Sequence, residues 1–138
     1  MSGFLVDTNV VSELRKKEPN PRVSQWFEVV DPADLYLSVL VVGEIRKGIE
    51  RLRRRGDSKQ ATMLDRWLKG LKDEFADRLV AVSAATCERW GVLSARQPIT
   101  VVDGLLAATA IEHDLTLVTR ERSALAATGA ALLDPWTD

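Results

Sequence analysis

The stretch "GFLVDTNVVSEL", residues 3–14, decides how the chain is read. Its apolar run, Gly3 to Val6, is too short for a helix and has the length of a buried strand. The run stops at Asp7, and beyond Thr8 and Asn9 the apolar residues Val10, Val11 and Leu14 return at helical spacing. Strand, acid, helix is the opening of a βα unit. Two roles are open for Asp7: its carboxylate can cap the first helical turn, with Asn9 a rival for that post, or it can stand at the carboxyl edge of a sheet, where open α/β folds bind their ligands.

The alternation continues down the chain. In "PNPRVSQWFEVV", Asn20 is a cap and Pro21 a first helical residue. "DLYLS" reads as a strand, after which Ser38 caps a long helix through Ile45, Ile49 and Leu52 that stops at Gly56. A further helix from residue 58 to about residue 77 sets Met63, Leu64, Trp67, Leu68 and Leu71 on one face. "RLVAV" is a third strand, residues 83–97 and 102–113 read as helices separated by Pro98, and "LTLVT" and "AALLD" supply the last strands. Strands separated by helices require crossovers, so the expected fold is α/β: a three-layer α/β/α domain with a central, mainly parallel sheet, spanning residues 1–138 as one domain.

Composition narrows the function. The 138 residues, 46% of them hydrophobic, suffice for one well-buried core. Nineteen basic against 20 acidic side chains leave a formal charge of −1, so any affinity for nucleic acid must come from local patches. The single cysteine, Cys87, excludes an internal disulfide framework and reads as a small core residue. "MSGFLVDTN" lacks the features of a signal peptide, and runs such as "LSVLVVG" are too short to span a bilayer. A soluble, cytoplasmic protein with no membrane partner is expected.

Two more acids join Asp7. Glu44, in "SVLVVGEIRKGIE", borders an apolar stripe with Leu40, Val41, Lys47 and Gly48 as helical neighbours. Its alternative role is a surface pair with Lys47 or Arg51. Asp103 opens the apolar helix "DGLLAATAIEH", and "TVVD" has the form of a capping box with Thr100 as cap. Carboxylates roughly 4 Å apart repel by about 4 kcal/mol at an effective dielectric near 20, so a cluster of three must share protons or hold a cation. An all-oxygen cluster suits Mg²⁺ or Mn²⁺, and such an ion can position a phosphodiester and activate water for in-line attack.

Together "FLVDTNVVSEL", "SVLVVGEIRKGIE", "VVDGLLAATAIEHDLTLVTR" and "TGAALLDPW" resemble the PIN-domain ribonucleases, specifically the VapC or FitB-like toxins of bacterial toxin–antitoxin pairs. The similarity runs from the first strand to the last, with the acids in matching order and spacing. It implies a metal-dependent endoribonuclease toxin, homodimeric and held inactive by a cognate antitoxin, with structured RNA such as tRNA as its target. By position it implies that Asp7, Glu44 and Asp103 hold Mg²⁺ or Mn²⁺, that Thr8 and Asn9 orient Asp7, and that Thr119 lies near the metals. A metal-activated water would attack phosphorus and a 3′-hydroxyl would leave. One departure stands out: where members often continue "T-R-N-x-x-D-F", this chain has "TRERSAL", with Glu121 at the asparagine and Ala124 at the fourth acid. Glu121 is expected to compensate in part, as catalytic acid and metal ligand; the alternatives are a three-acid site with a weaker second metal, or a weakly active or inactive PIN-like module that binds antitoxin and RNA.

Other features carry less. Arg51, Arg53, Arg54 and Arg55, with Arg46 and Lys47, either draw RNA phosphates toward the acids or form a solvated helix face, as the interleaved Glu50 suggests. A second basic candidate is Arg15 to Lys17. His113 reads as a helix-end residue, and Trp26, Trp67, Trp90 and Trp136 as packing anchors. The haloacid-dehalogenase-like phosphatases also place an aspartate after the first strand, but need a second one two residues on, where Asn9 stands.

Overall fold

The computed structural model describes residues 3–138; Met1 and Ser2, which begin the segment read as lacking a signal peptide, lie outside the described residues. The strands are β1 (Gly3–Val6), β2 (Leu35–Ser38), β3 (Leu79–Val80), β4 (Leu115–Val118) and β5 (Leu132–Leu133). They form one sheet in the order β3-β2-β1-β4-β5, and every neighbouring pair is parallel. The helices are α1 (Thr8–Glu13), α2 (Pro21–Val29), α3 (Val39–Arg54), α4 (Ser58–Glu74), α5 (Ala84–Arg96), α6 (Val101–Glu112) and α7 (Arg122–Leu125), with single 3-10 turns at Pro32–Asp34 and Ala126–Thr128.

From β1 the chain steps outward through β2 to β3, then returns past β1 to β4 and β5 on the other side. Parallel crossovers are right-handed, so this reversal transfers the connecting helices to the opposite face of the sheet. Accordingly α3 packs with α4, and α5 packs with α6, which in turn rests on β4. The result is the expected α/β/α arrangement.

Coverage on both faces explains the apolar strands. Leu5, Val6, Leu37, Leu117 and Val118 are fully buried, so the central strands read as apolar runs rather than alternating ones. Each such side chain contributes roughly 1.5–3 kcal/mol on burial. Helix α6 is buried almost all round, through Gly104, Leu106, Ala107, Ala108, Thr109 and Ala110, because it lies between the sheet and α5. Its small residues allow the close approach: a Cβ added at Gly104 would lie 2.8 Å from Trp90 Cδ1.

Local start and stop signals act as read. The Asn20 side chain accepts from the N–H groups of Arg22 and Val23, and the Ser38 hydroxyl oxygen from that of Leu40. Gly56 ends the α3 segment with φ 85°, a left-handed conformation open to glycine. The four tryptophans pack partly buried against the core.

Several expectations are corrected. β3 and β5 are two residues each rather than five, both being edge strands that pair on one side only. The α4 helix ends at Glu74, and its buried stripe runs through Ala61, Leu64, Leu68, Leu71 and Phe75, leaving Met63 56% exposed. Cys87 is exposed, lying off the α5 stripe of Thr86, Trp90 and Leu93 that faces the core. The short α7, with no side-chain cap, was not anticipated. Among the described residues no helix is long and apolar enough to cross a membrane.

Candidate active site

Chain order reverses between β1 and β4, and the crevice at their carboxyl ends is where such sheets bind ligands. Val6 pairs with Val118, which sets the next residues, Asp7 and Thr119, side by side at that edge. The backbone N–H of Asp7 donates to the Val118 carbonyl at 3.0 Å. Asp7 Oδ1 accepts the Thr8 N–H at 2.6 Å and Oδ2 accepts the Thr119 hydroxyl at 2.9 Å. Asp7 is therefore both the cap of α1 and an acid at the sheet edge; the two readings of the sequence are one residue doing both.

The other acids arrive on helices. Glu44 sits in the second turn of α3, where its Oε1 accepts the Thr8 hydroxyl at 2.5 Å. Asp103 lies in the first turn of α6, and its backbone N–H donates to the Thr100 hydroxyl at 3.3 Å, one half of the expected capping box. Glu121 immediately precedes α7, with its N–H donated to the Thr119 hydroxyl at 3.0 Å. Asp7, Glu44, Asp103 and Glu121 all line one open cavity of about 440 Å³, with Thr8, Asn9, Thr100, Val101 and Val102 between them. Ala124 lines a neighbouring cavity with Asp103 instead.

The site is electrostatically loaded. Burial pushes the Asp7 carboxyl from its ordinary 3.8 up to about 6, against the lowering influence of the Thr119 and Thr8 hydrogen bonds, and the negative charges of Asp103 and Glu44 push the same way as burial. A cation would reverse that repulsion. The lining donors are oxygens, which suits a hard divalent ion rather than zinc. Among the described residues no three His, Cys, Asp or Glu side chains are grouped tightly enough to enclose an ion on their own. The open arrangement fits an ion that keeps several waters, with the four lining acids as the groups available to hold it.

Thr8 meets Asp7 through its N–H, as the resemblance implies for an orienting residue, and its hydroxyl serves a second acid. The hydroxyl of Thr8 goes to Glu44 rather than to Asp7, whose oxygens are taken by the Thr8 N–H and by Thr119; Asn9 lines the cavity. In the basic run, Arg46 and Arg53 each bind Asp65 at 2.9 Å, and Arg53 also binds Glu50 at 2.5 Å, while Lys47, Arg51, Arg54 and Arg55 are exposed. The apolar wall of Val101 and Val102 was not foreseen as part of the site; the cap at Thr100, directly before it, was the available signal.

Residues 4–129 match the PIN domain family, and the chain belongs to it. Among its relatives is Toxin FitB of Neisseria gonorrhoeae, 33% identical over 141 residues that cover 98% of this chain and 99% of that protein. The VapC ribonuclease Y4jK of Sinorhizobium fredii is 31% identical over 139 residues, covering 96% and 97%. The crystal structure of FitAcB from Neisseria gonorrhoeae matches with a TM-score of 0.88 at 30% identity, over 98% of this chain and 99% of that one.

Proposed function

We propose that the chain is a divalent-metal-dependent endoribonuclease that hydrolyses RNA phosphodiester bonds, a cytoplasmic, homodimeric toxin neutralised by a cognate antitoxin. The observation that carries this reading is the meeting of four acids, Asp7, Glu44, Asp103 and Glu121, in one open cavity at the point of chain reversal in a PIN domain. The ribonuclease and toxin relatives support it at full length.

In this reading Asp7, Glu44, Asp103 and Glu121 would hold Mg²⁺ or Mn²⁺, which when bound supplies charge neutralisation to the phosphodiester and an acidified water for in-line attack. The chain's own groups prepare the acids. Thr119 and the Thr8 N–H fix both oxygens of Asp7, and the Thr8 hydroxyl fixes one oxygen of Glu44, so these carboxylates are oriented before any ligand arrives. Glu121 borders the cavity that Ala124 does not, which supports Glu121 as the acid that stands in for the missing one. Lys47, Arg51, Arg54 and Arg55 are the exposed cations available to RNA phosphates.

The test uses purified, antitoxin-free protein and RNA in Mg²⁺ or Mn²⁺. Cleavage by the native chain should vanish in Asp7→Ala and on chelation, and Glu121→Ala should weaken Mn²⁺ binding about tenfold. Cleavage that survives Asp7→Ala comes from a contaminant and defeats the reading. A native chain that binds RNA and antitoxin without cutting is the inactive PIN-like module instead.

A further inference from the structure

We propose that the cavity beside the acidic site, lined by Pro98, Ile99, Thr100, Asp103 and Ala124, receives the nucleobase next to the scissile phosphate, with Ala124 and Ile99 setting which bases fit. The inference rests on the ribonuclease reading and deepens it. The two cavities share Thr100 and Asp103 as a common wall, so the second opening lies directly beside a phosphate held among the acids, within reach of the neighbouring nucleotide.

The two halves differ in chemistry. Beyond the shared wall, the second cavity presents only Pro98, Ile99 and Ala124, and its volume of about 460 Å³ matches that of the first. No lysine or arginine lines either cavity, and Pro98 offers no N–H, so a flanking phosphate would find no cationic side chain or proline N–H donor in the second one. An uncharged base with apolar faces is what these walls accept. Ile99 packs against the start of α6, its Cγ2 3.4 Å from where a Gly104 Cβ would lie, so its side chain forms part of the wall beside that helix. Ala124 matters by being short: a longer side chain there would occupy the space the base needs.

Binding of RNA oligonucleotides carrying one abasic site each, followed by fluorescence anisotropy in Ca²⁺, tests this on the full chain. An abasic site beside the mapped cut should weaken binding to the native protein roughly fivefold, the lower limit of base–aromatic stacking, because Pro98, Ile99 and Ala124 give the base apolar contact without an aromatic ring. In Ala124→Phe, with Ala124→Leu as a second filling variant checked by melting, that factor should fall to about one. The same factor in native and filled proteins, or no position-dependent factor in the native protein, overturns the inference. So does a filled variant that loses affinity only for the antitoxin. Cleavage in Mg²⁺ is scored separately: cutting with the factor unchanged by filling sinks the base subsite alone, whereas a filling-sensitive factor without cutting supports the subsite and sinks the nuclease reading.

Discussion

The Thr119 hydroxyl donates to Asp7 Oδ2 at 2.9 Å, tying the ends of β4 and β1 together across 112 positions of sequence, and accepts the Glu121 N–H on its other side. It is the strongest influence holding the Asp7 carboxyl down against burial. Thr119→Val, close in shape but without the hydroxyl, should raise the Asp7 pKa above about 6 in a carboxyl-carbon NMR titration of metal-free protein. It should also destabilise the fold by about 1–2 kcal/mol, since the Glu121 N–H loses its acceptor. Thr119→Ser should restore both. An Asp7 titration identical in the native and valine proteins would show that the hydroxyl does not act on Asp7.

Asp7 also predicts a pH dependence with a definite sign. Its folded pKa of about 6 lies above the ordinary 3.8, so the fold favours the protonated form. That favourable contribution is complete below about pH 3.8 and is lost as pH rises through about 6, where the buried carboxylate becomes a liability of up to about 3 kcal/mol. Asp7→Asn should therefore raise the melting temperature of metal-free protein at pH 7.5 and change it little at pH 4. Mn²⁺ should stabilise the native chain more than the variant, because the amide lacks the charge that gains from the ion. A variant less stable than the native chain at pH 7.5 would mean that Asp7 is not strained by desolvation.

What the sequence disclosed and what it hid divide along physical lines. Caps at Asn20, Ser38 and Thr100, and the stop at Gly56, were legible because each depends on residues within one helical turn. The three acids at residues 7, 44 and 103 were legible from apolar context and family-like order. Partners set by how helices dock were not: the Thr8 hydroxyl reaches Glu44 across 36 positions, and Asp65 meets Arg46 and Arg53 only because α4 packs on α3. The same docking turned Met63 to solvent although it shares helical spacing with Trp67. No apolar period announces α7 in "ERSAL"; Glu121 itself was legible from its place in the family-like motif, and in the folded chain it lines one cavity with the other acids.

Gly104 tests whether the packing of α6 positions Asp103. A methyl group there would lie 2.8 Å from Trp90 Cδ1 and 3.1 Å from Nε1, inside van der Waals contact with a ring held between two helices. Gly104→Ala should cost about 1–3 kcal/mol in chemical denaturation despite the better helix propensity of alanine. Because Gly104 adjoins Asp103, Mn²⁺ affinity should drop in the same variant, and Trp90→Leu in that background should recover part of both. A stabilised Gly104→Ala would mean that the indole moves aside freely.

Asp65 decides between the two readings of the basic run. Its carboxylate takes the guanidinium groups of Arg46 and Arg53, whose hydrogen bonds hold it at about 2, below the usual carboxylate range. All three side chains are about a third or more exposed, so the network contributes little to stability, and Asp65→Asn should barely move the melting temperature. What the substitution changes is charge: one of the two carboxylates that Arg46 and Arg53 share is neutralised, leaving Glu50 as their remaining acid, on the helix that carries Lys47, Arg51 and Arg54. If RNA phosphates run along α3, Asp65→Asn should tighten RNA binding, and the slope of log Kd against log salt should steepen by about 0.7 for each new contact to a single strand. The comparison is made in Ca²⁺, where affinity rather than turnover is read. A slope identical to that of the native chain would assign the run to solvent, and would leave the acidic cavity and its apolar neighbour to hold RNA without help from α3.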